Sequence, residues 1–362
     1  MIFVFDLFEG EIFENKTFLF NKTLCSFIEK GFPGRRLLFI YNEQKSDYKG
    51  TDSKKNIFYY IKTGNLLTKI KAKKAFQKRL RQIKPAVLLS SRFLKTPGNI
   101  PLVLYIGHVK QLKNISAKQL SLVAGILVSS RPVKQFLISG MNVPETKIFI
   151  APFVPDVIFQ PVEWEQREII KKEITGGHEY FFINHTASAG NCFINLLRSF
   201  SFFKKRLQSN MKLVVAGEAP LKDKAVSDLL AAYKYRGDVV FTGNHVSSEQ
   251  KAGIVASAYA VLQLAIETDE WVLPQEALQC KVPVLMCQPG YFSQQEGLFV
   301  YADADNVDDM AYKMMLLYKD ETYRNKIISN AQQQLSAFSA GTSAEKIMQC
   351  LLYAAANEGA QL

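Results

Sequence analysis

Cysteine is scarce. The five residues at Cys25, Cys192, Cys280, Cys287 and Cys350 are scattered and odd in number, and none falls in a CxxC or Cys/His spacing. That excludes the usual structural zinc modules and a disulfide framework, and it fits a reducing compartment. No metal site is expected, and no cofactor. No apolar run approaches the roughly 18–20 residues of a membrane-spanning helix. The opening MIFVFDLFEG carries Asp6 and no basic leader, so it does not read as a signal peptide. Acidic residues are missing altogether from residue 53 to residue 144, a stretch that holds 18 Lys and Arg. The rest of the chain has 27 Lys and Arg against 33 Asp and Glu, so the net charge of +12 resides in one part of the molecule. Such asymmetry points to an anionic partner on that part: a membrane surface, a phosphorylated substrate or nucleic acid.

What is present is ordinary for a globular protein. Of the 362 residues, 48% are hydrophobic and 22% charged, which argues against disorder. The length suggests two domains.

Short apolar runs alternate with helical stretches along the whole chain. In the first half the runs are 1–8, 36–41, 57–61, 86–89, 101–106, 122–128 and 147–151. In the second half they are 180–184, 211–216, 238–242, 260–264 and 283–286. Strands alternating with helices predict parallel sheets covered on both faces, and two such series predict two doubly wound domains. Pro152, Pro155 and Pro161 mark the joint. The expected division is 1–155, basic and Rossmann-like; 156–340, also Rossmann-like; and an apolar C-terminal helix, 341–362, packing back on the first domain.

The cationic region centres on 64–84. Lys69, Lys71, Lys73, Lys74, Lys78, Arg79, Arg81 and Lys84 are interleaved with Leu66, Leu67, Ile70, Phe76, Leu80 and Ile83. This reads as a basic amphipathic helix. It is either a solvated helix face or a surface for anionic lipid headgroups, with Lys69, Lys73, Lys74, Lys78 and Arg81 as the contacting cations. No reader motif for nucleic acid accompanies it, and no nucleic-acid partner is expected.

The second half carries an ordered set of motifs. KLVVAGEAP (212–220) is a strand running into a glycine turn, and VVFTG (239–243) is a second strand with a glycine exit. The strand AVLQL (260–264) leads to the acidic loop ETDEWVLPQE (267–276) and then ALQCKVPVL (277–285). Upstream stand GILVSSRPVKQFL (125–137) and KIFIAP (147–152), followed by Asp156 and Phe159-Gln-Pro161. In order and style, residues 100–335 resemble retaining GT-B glycosyltransferases of the family 4 (group 1) type. The resemblance implies an α/β GT-B fold, two doubly wound Rossmann-like domains facing a cleft. It also implies transfer of a sugar from a nucleotide-sugar donor to a hydroxyl of a glycan or lipid-linked acceptor.

Ligands of doubly wound sheets bind outside the carboxyl ends of the strands, and a helix N-terminus favours phosphate. The acidic loop satisfies both conditions, with its helix expected to begin near Pro274. By the resemblance Glu276 holds the donor ribose. Asp269 lies against the transferred sugar, with Glu267 and Glu270 as competitors. Trp271, Val272, Leu273 and Ser188 line the donor. Gly217, Phe241, Thr242 and Gly243 wall the nucleotide base. Glu270 and Val272 stand where the family has glycines. The family's Arg and Lys for the diphosphate are missing too: no Lys or Arg occurs between His185 and Arg198. His108, at the end of the 101–106 strand, is the second catalytic candidate, placed to orient or deprotonate an acceptor hydroxyl; the alternative for it is a capping or surface histidine. The expected setting is cytoplasmic, peripheral at the inner membrane face, in envelope or surface glycan synthesis. The missing diphosphate cations leave open a degenerate GT-B subunit that binds without catalysis.

Overall fold

A computed structural model describes residues 1–7, 22–32, 36–42, 57–61, 66–107, 109–184, 190–218, 224–243, 246–264, 272–287, 297–335 and 339–357. The chain divides into two compact units, Met1–Val154 with Phe338–Leu362, and Pro155–Ala337.

In the first unit the apolar runs become seven parallel strands: β1 (Ile2–Leu7), β2 (Arg36–Asn42), β3 (Ile57–Ile61), β4 (Val87–Ser90), β5 (Leu102–Ile106), β6 (Gly125–Val128) and β7 (Ile148–Ile150). Their order is β3-β2-β1-β4-β5-β6-β7. Every residue of β4, β5 and β6 is buried, as expected of parallel strands covered on both faces. The period of two separates the faces. Phe3, Phe5, Val87, Leu89, Val103, Tyr105 and Leu127 pack with Leu24 and Ile28 of α1 (Lys22–Gly31) and with Ile347, Met348 and Leu351 of a long apolar C-terminal helix. Val4, Leu88, Leu104, Ile126 and Val128 pack on the other face. There they meet Phe76 and Leu80 of α2 (Leu66–Ile83), Leu120 of α3 (Ala117–Leu122), and Val133 and Leu137 of α4 (Arg131–Met141). Each large side chain so buried contributes roughly 1.5–3 kcal/mol of transfer free energy.

The second unit repeats the plan. Six parallel strands, β8 (Tyr180–Asn184), β9 (Lys212–Ala216), β10 (Val239–Phe241), β11 (Ala260–Gln263), β12 (Val284–Cys287) and β13 (Val300–Ala302), lie in the order β10-β9-β8-β11-β12-β13. Phe181, Ile183, Leu213, Val215, Leu262 and Leu285 face one core. That core is completed by Phe193, Leu196, Phe200 and Phe203 of α6 (Gly190–Leu207), Val226 and Leu230 of α7 (Lys224–Ala231), and Met310, Met314 and Leu317 of α10 (Val307–Lys319). On the opposite face run α5 (Trp164–Thr175) and α8 (Ser248–Ser257), where the Tyr180 hydroxyl donates to Ile254 O at 2.6 Å. The short helix α9 (Val272–Gln279) joins β11 to β12; α11 (Glu321–Gln334) and α12 (Ala340–Asn357), the apolar C-terminal helix, complete the chain.

Both sheets thus have the doubly wound order, read within each unit as third, second, first, fourth, fifth, sixth, with a seventh strand added at the end of the first sheet. The strand order reverses between β1 and β4, and again between β8 and β11. Outside the carboxyl ends of such a pair is where ligands of these folds bind.

Candidate donor site

Two groups of residues expected at the site are described, and they sit on different elements of the second unit. The first is a pair of glycine turns. Gly217 and Gly243 leave β9 and β10 with φ of +93° and +76°, a region that L side chains rarely adopt. The turns are linked by Gly243 N–H donating to Gly217 O at 3.0 Å, and Gly217 N–H donates to Thr242 Oγ1 at 3.1 Å. The Thr242 hydroxyl in turn donates to Gly243 O at 3.3 Å. Thr242 therefore spends its hydroxyl on fixing this corner. Beside it opens a cavity of about 780 Å³, lined by Phe241, Thr242, Val246, Gln250, Ile254 and Ile170 among others.

The second group is on α9. Its described residues run from Val272, two residues before Pro274, in keeping with the helix start expected near Pro274. A proline fits any position of a first turn, because the N–H it lacks there has no intrahelical partner. Pro274 therefore marks the first turn rather than its first residue. Val272 and Leu273, the first described residues of α9, are buried. Glu276 follows in the second turn, only 5% exposed.

Glu276 is not alone. Its Oε2 forms an ion pair with Nζ of Lys251 on α8, which is itself only 9% exposed. The Lys251 ammonium also lies 5.0 Å from the centroid of the buried Phe159 ring. Gln275, next to Glu276, is 3% exposed, and its Oε1 has no hydrogen-bond partner among the described residues. Burial pushes the Cys280 thiol up to about 12, with the Glu276 carboxylate adding to the rise and Lys251 opposing it. A thiol so shifted is no nucleophile near neutral pH.

Lys251 is the residue that sequence reasoning missed. It stands one turn before Val255 on the buried side of α8, where a lysine needs a partner, but the sequence around it carries no signal that sets it apart from a solvated charge.

The remaining expected residues are distributed as follows. Asp269, Trp271 and Ser188 lie outside the described residues, as do His108, Glu267, Glu270 and His185. The described ends that flank the two loops, Asn184 of β8 and Leu264 after β11, stand at the switch point. Arg198 is exposed on α6. Among the described residues no cluster of three or more His, Cys, Asp or Glu could hold a metal ion. In the first unit Lys74, Lys78 and Arg81 are exposed at i, i+4 and i+7 of α2, one stripe of the helix, with Phe76 and Leu80 turned into the core. Lys69 and Lys73 belong to α2, but their side chains lie outside the description. No described helix is long and apolar enough to cross a membrane.

The fold of the whole chain is shared with solved glycosyltransferases. A glycosyltransferase from Rickettsia africae superposes with a TM-score of 0.71 at 12% identity, covering 98% of each chain. Anabaena HepE, solved with UDP and glucose, gives 0.70 at 13%, over 97% of this chain and 99% of its own. WaaG, a glycosyltransferase involved in lipopolysaccharide biosynthesis, gives 0.64 at 13%, over 96% and 98%. A comparison with curated proteins finds no match. Residues 165–334, most of the second unit, match the family model for glycosyl transferases group 1, and the chain as a whole has the GT-B fold of these solved structures.

Proposed function

We propose that this chain takes a sugar from a nucleotide-sugar donor and transfers it, with retention, to a hydroxyl of a glycan or lipid-linked acceptor in envelope or surface glycan synthesis. The observation that carries the reading is Glu276. It is a buried carboxylate in the second turn of α9, on the segment that follows β11 from the switch point, within the part that matches the family. An ionised carboxylate accepts hydrogen bonds from hydroxyls without donating any, which suits the vicinal hydroxyls of a ribose. The N-terminal end of α9 offers partial positive charge to the diphosphate. The main catalytic term would be electrostatic stabilisation of the departing diphosphate, with Asp269 beside the sugar. HepE has also been solved in complex with UDP-glucose, so a neighbour in fold binds such a donor. The exposed stripe of Lys74, Lys78 and Arg81 supports a peripheral setting on an anionic membrane surface, where each cation contributes roughly 1 kcal/mol.

The test is turnover. Purified protein given a panel of nucleotide sugars should release free nucleotide, and Glu276→Ala should suppress that release by about 100-fold. Unchanged release in the variant sinks the site assignment. A non-catalytic binding subunit is the second reading, favoured by the lack of Lys and Arg between His185 and Arg198. Titration with UDP and GDP separates the two, because a chain that binds neither cannot use the corresponding donors.

A further inference from the structure

We infer that Lys251 is a positioning residue for nucleotide recognition: it fixes the Glu276 carboxylate so that the site distinguishes a ribose from a sugar lacking its hydroxyls. The inference rests on the reading of Glu276 as the ribose-binding group.

Three observations carry it. First, the ion pair is intra-unit but long-range, joining the first turn of α8 to the second turn of α9. Secondly, the ammonium is held from several sides. Its stem is buried, and it lies against the Phe159 ring. Its helix is anchored at the N-terminus by a capping box, in which Ser247 Oγ accepts from Gln250 N–H and Gln250 Oε1 accepts from Ser247 N–H. Toward its C-terminus α8 is tied by Tyr180 to Ile254 O. Lys251 is thus a fixed point rather than a mobile surface charge. Thirdly, Glu276 is only 5% exposed, so the cation in contact with its Oε2 settles how the carboxylate is turned.

The arrangement also explains why this lysine supplies no diphosphate charge. Its ammonium is committed to Glu276 and Phe159, so its effect on the ligand passes through the carboxylate. A residue that acts this way should alter the ribose contact and leave the base and phosphate contacts alone.

The experiment compares Kd for UDP and for 2′,3′-dideoxy-UDP by calorimetry in wild type, Lys251→Met and Lys251→Arg, with GDP and its dideoxy form run in parallel. Wild type should prefer the ribonucleotide by about tenfold or more, the worth of hydrogen bonds from hydroxyls to a charged acceptor. In Lys251→Met the preference should fall to about threefold or less, through weaker binding of UDP, while the dideoxy nucleotide binds within about threefold of wild type. Lys251→Arg keeps the charge but moves the donors, and should give an intermediate preference. Structural damage would weaken both ligands alike, which separates it from a positioning role. If Lys251→Met does not fold, Lys251→Arg alone decides. An unchanged preference in whichever variant folds overturns the inference. A wild type that binds UDP and GDP without preferring ribose, or binds neither, overturns the donor-site reading itself and this inference with it.

Discussion

Gly243 N–H donates to Gly217 O at 3.0 Å, which ties the turn after β10 to the turn after β9. Both residues have positive φ, and a Cβ built on either meets nothing within 4 Å. Any cost of adding a methyl there is therefore backbone strain rather than a clash. Gly217→Ala and Gly243→Ala should each destabilise the second unit by about 1–2 kcal/mol. Thr242→Val, which removes the acceptor for Gly217 N–H, should cost about 1 kcal/mol, and Thr242→Ser should cost less. Thermal unfolding reads these as falls of roughly 2–4 °C per kcal/mol. An unchanged midpoint in all three destabilising variants would mean that the corner carries no strain.

The Lys251–Glu276 pair should show strong coupling in stability as well as in ligand recognition. Removing one partner leaves the other charge buried without this ion pair, so Lys251→Met and Glu276→Leu should each be strongly destabilising, by about 3–5 kcal/mol. Removing both leaves no buried charge. The double variant should accordingly be more stable than Lys251→Met alone, by urea unfolding. Simple additivity of the two single effects would show that the ammonium and the carboxylate do not depend on each other.

The fold class was legible because its strands announce themselves. Leu102 to Ile106 is buried on both faces and so reads as an unbroken apolar run, as parallel strands do. The strand β13 was not legible: Val300–Ala302 is three residues long, too short to carry a period. The most consequential residue of α8, Lys251, was not legible either. A lysine in SEQKAGIVAS looks like one more solvated charge, and only the approach of α9 in space turns Lys251 into the partner of Glu276. The sequence order of the motifs located the carboxylate; the cation came from a segment 25 residues earlier, brought near by the sheet.

If α2 rests on an anionic surface, its cations should act together. Replacing Lys74, Lys78 and Arg81 with Glu reverses the charge of one exposed stripe and leaves the buried Phe76 and Leu80 untouched. The triple variant should bind vesicles containing anionic phospholipid at least about 100-fold more weakly, at roughly 1 kcal/mol per cation. Binding of wild type should also weaken steeply as salt is raised from low to physiological strength. Vesicle flotation measures both. Equal binding to neutral and anionic vesicles would remove the electrostatic role from this helix.

Asp238 sets an acid limit on the stability of the second unit. Burial alone would raise its pKa, but hydrogen bonds from Lys212 at 2.5 Å and the nearby Lys204 at 2.9 Å outweigh it and hold the carboxyl below its ordinary value. A depressed folded-state pKa means that the unfolded chain binds the proton more readily. The stabilisation is therefore complete above the unfolded value of about 3.9 and disappears as pH falls through the lower, folded one. Wild type should exceed Asp238→Asn in urea resistance by the same margin at pH 7 and pH 5.5, and that margin should shrink at about pH 3. A margin that instead grows on acidification would reverse the sign and show that the two lysines do not hold Asp238 ionised.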